Sequence, residues 1–190
     1  MLESERLRSL LGALDCGEIS DVPSWVPFSI VFPTRENSVV VYTTKVQAGP
    51  MLLASPDGQA DVGVIARDGL PQPEHLDAII KIVGGRKLFY LGDCDPFDLL
   101  VFAWLQQHLS VHYLGISDIV LTAVGLQVED SMTITLPKDE LNAMSLVEEF
   151  LPNYARLIGP CCAEVLARKR KIELEALVSY GKRPNTPLWG

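Results

Sequence analysis

The four cysteines of this chain, Cys16, Cys94, Cys161 and Cys162, form no CxxC pair, and its three histidines fall at no metal-ligand spacing with a nearby acid. That excludes a structural zinc site. His75, His108 and His112 are read instead as satisfied or surface side chains. With no disulfide framework, the thiols point to a reducing, intracellular compartment, cytoplasmic or nuclear, and Cys161-Cys162 to small buried side chains. No apolar run reaches the roughly 18 residues of a membrane span, so no membrane association is expected. The opening MLESERLRSLLGAL is charged from its third residue, which argues against a signal peptide. No serine stands in a nucleophile-elbow context. The Gly84-Gly85 pair ends a helical stretch rather than opening one, so it is no phosphate loop. Positive charge is also scarce: 16 Lys and Arg against 24 Asp and Glu leave a net charge of −8. Such a chain is repelled by nucleic acid, and DNA is expected to meet it only within a complex.

What is present suits one α/β domain. At 190 residues and 48% hydrophobic composition, the chain can bury a sizeable core. Residues 1–37 read as an amphipathic helix (Leu2, Leu7, Leu10, Leu11 and Leu14 on one face) and an irregular lead-in. Residues 38–180 read as the main domain and 181–190 as a tail. SIVFPT, SVVVYTTKV, ADVGVIA, KLFYLG and VHYLGIS are strand-like, being rich in β-branched residues and bounded by turn residues. The last four lack polar alternation. They are separated by EHLDAIIKIV and PFDLLVFAWLQQHL, both helical, or by a loop. This pattern predicts a parallel, Rossmann-like sheet of about four strands, near 39–45, 61–66, 87–92 and 111–116, with helices on both faces. Further on, MTIT is strand-like, a helix enters at Pro137, and CCAEVLARKRKIELEALVSYG reads as one long helix forming a C-terminal extension. Its run from Arg168 to Lys171 lies among Glu164, Glu173 and Glu175 and is read as a solvated, charge-paired face. Trp25, Trp104 and Trp189 are read as packing residues.

The chemistry concentrates in GDCDPFD, where Asp93 and Asp95 follow a buried strand. Ligands of an open parallel sheet bind beyond the carboxyl ends of its strands. Two carboxylates there suit a hard divalent ion such as Mg²⁺, which takes oxygen ligands. Asp95 before Pro96 is also a good helix cap, an account that leaves Asp93 without a role. Asp98 adds a third acid. Asp68, at the end of the second strand, could bring another, although Asp68-Gly69 also reads as a plain turn.

GDCDPFDLLVFAWL followed by VHYLGIS resembles the D-x-D-P stretch and following strand of Toprim domains. The likeness is to the A subunit of type IIB topoisomerases (topoisomerase VI) and its meiotic double-strand-break relatives. RDGLPQPEHLDAII, LPKDELNAM and EVLARKRKIELEAL resemble further segments of that family, in the family's order, over residues from about 38 to 180. The resemblance implies a Toprim fold, Mg²⁺ held by Asp93 and Asp95, and work on DNA phosphodiesters. It also departs from the family. Tyr42 or Thr43 stands where the family's glutamate ends the first strand, and the nearest acid, Glu36, precedes that strand. The winged-helix domain carrying the cleaving tyrosine is expected before the Toprim segment, where residues 1–37 are too few for it. Two readings follow. One is a metal-binding topoisomerase or nuclease module, inactive alone, whose missing functions come from a protein partner. The other is a catalytically inactive Toprim-fold protein that acts as an interaction scaffold.

Overall fold

Apolar runs without polar alternation must be covered on both faces, and the strands they form here are buried accordingly. A computed structural model of the chain describes residues 2–14, 29–31, 39–53, 62–67, 72–182 and 188. Strands β1 (Ser29–Val31), β2 (Val39–Thr43), β3 (Val62–Ala66), β4 (Leu88–Leu91) and β5 (Val111–Tyr113) form one sheet in the order β1-β3-β2-β4-β5. The last four are parallel, as expected; β1 adds an antiparallel edge beside β3. Every residue of β2 and β3 is buried.

Helices flank this sheet: α1 (Leu2–Leu14), α2 (Ala48–Leu53), α3 (Leu76–Val83), α4 (Pro96–His108), α5 (Asp118–Ala123) and α6 (Lys138–Phe150). The set closes with α7 (Tyr154–Ile158), α8 (Pro160–Ala167) and α9 (Leu174–Tyr180), and with a ribbon of β6 (Ile134–Thr135) and β7 (Arg170–Lys171). Helix α4 is the central one, apolar nearly all round because α1, α6 and the sheet enclose it. Trp104 lies buried in it, and Leu7 of α1 is buried in the same core. The side chains of Leu2, Leu11 and Leu14, and the whole of Trp25 and Trp189, lie outside the described residues. Among the described residues, no helix is long and apolar enough to cross a membrane.

Four expectations are corrected. The long C-terminal helix is two helices, α8 and α9, separated by a turn at Arg168-Lys169 and by β7. Lys169 takes a positive φ of 59°, which stops the helix, and its carbonyl accepts from the Leu136 amide. Helix-forming residues here yield to strand pairing, because Ile134 and Thr135 pair with Lys171 and Arg170. The basic run is therefore no single helical face. Arg168 does pair with Glu164 within one helical turn, but Arg170 bonds the Thr133 hydroxyl and Lys171 is buried. Strand β5 stops at Tyr113, although Leu114 and Ile116 still donate to Tyr90 and Gly92. Of the adjacent thiols, Cys162 is buried and Cys161 exposed.

Candidate functional site

Parallel neighbours end side by side, so the residues after β2 stand beside the residues after β4. Tyr42 is in register with Tyr90 and Thr43 with Leu91. The chain then leaves β4 through Gly92. A Cβ on Gly92 would sit 2.8 Å from both Asp98 Cγ and Tyr90 Cε1, so only glycine admits the close approach of these side chains. Beyond it, Cys94 forms an antiparallel bridge with Ile172: the Cys94 amide donates to Ile172 O at 2.9 Å, and the Ile172 amide donates back at 3.3 Å. The segment after β7 thus pins the middle of the acidic motif. Asp95 is extended (φ −143°, ψ 164°) and caps α4, its Oδ1 accepting from the Asp98 amide at 2.7 Å, with Pro96 opening the helix.

The three carboxylates of Asp93, Asp95 and Asp98 each offer an oxygen within 4.8 Å of the others, so this cluster could hold a metal ion. They stand where β4 ends, at the carboxyl edge of the sheet, and are buried, with Asp93 at 0% and Asp95 and Asp98 at 4% exposure. The cause is the segment from β7 to α9, which a single long helix would have carried away.

Burial makes the partners decisive, because an unpaired buried charge is costly. Asp93 Oδ2 lies 2.5 Å from the Lys45 ammonium, and its Oδ1 accepts from the Leu174 amide at 2.8 Å. Asp98 accepts from the Tyr90 hydroxyl at 2.5 Å, the Thr44 hydroxyl at 2.9 Å and the Asp93 amide at 2.6 Å. Lys171 bonds Glu140 of α6 at 2.7 Å and adds a second positive charge near Asp95. Burial and the neighbouring Asp98 push Asp93 up to about 7, while Lys45 pulls it back. Asp95 is pushed the same way, well above the usual carboxylate range, by burial and then by Asp98, Asp93 and Glu140. Against the downward push of burial, Asp98 and Asp93 hold Lys45 firmly charged.

In this arrangement the oxygens that a divalent ion would use are largely engaged by protein donors. Such an ion binds through carboxylate oxygens at about 2.0–2.6 Å. Here Asp98 is already shared among three donors, and the ammonium stands on Asp93.

The other residues named from sequence fall elsewhere. Tyr42 is fully buried and stacks on Tyr90 with ring centroids 6.3 Å apart, and burial pushes its hydroxyl far up. Thr43 is buried, and its hydroxyl accepts from the Lys45 amide at 3.0 Å. Asp68 and Glu36 lie outside the described residues. His75 is buried apart from the cluster, His108 bonds the Ser4 hydroxyl, and exposed His112 leans on Phe89. Sequence reasoning missed Thr44, Lys45, Tyr90, Glu140 and Lys171. For Thr44 and Lys45 a signal existed: TTK follows the strand that a parallel sheet sets beside KLFYLG.

Compared with known proteins, the sequence matches no family model and no curated protein.

Proposed function

We propose that the chain is a Toprim-like module, akin to the A subunit of type IIB topoisomerases and its meiotic relatives, without cleavage chemistry of its own. In this reading it serves as an interaction module for a protein partner inside a DNA-cleaving or recombination assembly. The observation that carries it is the company the acids keep. Thr44, which does not titrate, faces Asp98 beyond β2, and Lys45 faces Asp93. General acid-base work needs a group that titrates near the operating pH within reach of the reacting oxygen. Asp93 does titrate near there, but it is enclosed and tied to an ammonium and an amide. A net charge of −8 also disfavours an unaided encounter with DNA.

A metal-assisted module, with Mg²⁺ on Asp93 and Asp95, is the second reading. It is favoured by the three carboxylate oxygens within 4.8 Å at the ligand-binding edge of a parallel sheet. An ion there would supply neutralisation of phosphate charge. Supercoiled plasmid with Mg²⁺, then Mn²⁺, separates the two, with the Asp93→Asn, Asp95→Asn double variant as control. The expected result is no metal-dependent nicking by either protein. Nicking by the native chain that disappears in the control would establish the second reading.

A further inference from the structure

Three acids in one buried cluster raise the question of what keeps them from repelling each other. We propose that the Lys45 ammonium is the resident cation of the Asp93–Asp95–Asp98 cluster, and that it excludes a divalent ion from a carboxylate set that would otherwise take one. This deepens the non-catalytic reading of the same site and rests on it.

The geometry is that of a tethered ion. Lys45 stands just beyond β2, and its own amide bonds the Thr43 hydroxyl, which holds the backbone where the side chain can reach across to the end of β4. Its Nζ lies 2.5 Å from Asp93 Oδ2. The carboxylates have at most 4% of their surface exposed, whereas the Lys45 side chain has 28%. The lysine stem is therefore the solvent-accessible part of this group. A divalent ion approaching along it must displace the ammonium from Asp93 and then share the site with a second positive charge, which repels it. Other acceptors of the cluster are engaged as well. Asp98 is held by Tyr90, Thr44 and the Asp93 amide, and Asp95 Oδ1 by the Asp98 amide. Lys171 cannot replace Lys45 on Asp93, since its ammonium is bonded to Glu140 and pairs with Glu173 at 3.4 Å.

Removing the ammonium while keeping the stem's bulk should turn the cluster into a metal site. The test is Mn²⁺ titration, by calorimetry and by the paramagnetic broadening of free Mn²⁺, on the native chain, Lys45→Met, Lys45→Arg and Lys45→Met with Asp93→Asn. The native chain and Lys45→Arg are expected to bind Mn²⁺ at least tenfold more weakly than Lys45→Met, and adding Asp93→Asn to Lys45→Met should abolish the gain. If Lys45→Met is unfolded without metal, Mn²⁺ is expected to restore its near-ultraviolet circular dichroism. Native binding as tight as that of Lys45→Met would overturn the proposal. So would a Lys45→Met variant that neither binds Mn²⁺ nor is refolded by it. These outcomes are read without DNA, so they stand apart from the plasmid assay: a native chain that bound Mn²⁺ as tightly as Lys45→Met yet nicked nothing would defeat this inference alone.

Discussion

Asp95 at α4 and Asp118 at α8 both accept backbone amides at the start of a helix, and their proton affinities move in opposite directions. The Asp118 oxygens take the Cys161 and Cys162 amides at 2.9 Å each. Against the upward push of burial, those two amides hold its carboxyl below the usual range. Asp95 takes one amide, is sealed from water, and has two more acids beside it, so burial and repulsion push it well up. Each arrangement needs a glycine: Gly92 lets Asp98 close on the motif, and Gly159, at φ 89°, would place a Cβ 2.5 Å from Asp118 Cγ. The same cap chemistry thus stabilises charge where water helps and strains it where water is excluded. In the buried cluster, Lys45, Tyr90 and Thr44 answer the charges, together with backbone amides.

The largest effect that should separate the two regions comes from Asp98→Ala. It strips the acceptor from Tyr90, Thr44 and the Asp93 amide in a buried setting and should cost about 3–5 kcal/mol by denaturant titration. A cost below about 1 kcal/mol would mean that water or a neighbour replaces the carboxylate, and the cluster would no longer count as a closed network.

Next in size is the pH dependence. Asp93 binds its proton more tightly folded than unfolded, from 3.8 up to about 7, so between those values the native state holds more protons and stability falls as pH rises. At about 1.4 kcal/mol for each whole unit, the loss across that window should be on the order of 2–4 kcal/mol. The quantity to measure is the difference between the native chain and Asp93→Asn at each pH from 4 to 7.5. Parallel curves would remove the claim that burial dominates the site.

The smallest effect belongs to Asp118. Replacing it with Ala should cost about 1 kcal/mol or less at pH 7, since only a helix start near solvent is uncapped. Its sign with pH is opposite: a depressed carboxyl contributes above its unfolded value, near 4, and loses that contribution as pH falls further. An Asp118→Ala cost that grew toward acid pH would contradict the contrast with Asp93.

Much of the scaffold is legible in residue patterns. The parallel strands follow from apolar runs, because a strand buried on both faces has no use for polar alternation. Asp95-Pro96 marks the start of α4 because capping is local chemistry. The acidic motif itself is equally plain, falling where β4 ends. By contrast, ARKRKIELEAL is locally a good helix, and nothing within it announces the break at Lys169. The break is bought by distant pairings, β7 with β6 and Ile172 with Cys94, whose hydrogen bonds outweigh a propensity worth tenths of a kcal/mol per residue.

By itself, then, the sequence determined the α/β sheet, the helix cap and the position of the acids, since each depends on neighbours in the chain. Whether those acids would be wet or dry, and that an ammonium would sit on Asp93, only the tertiary structure decided. The ends of β2 and β4 meet there, and the segment after β7 closes over them. Charge compensation falls off with distance in space and is indifferent to separation along the chain.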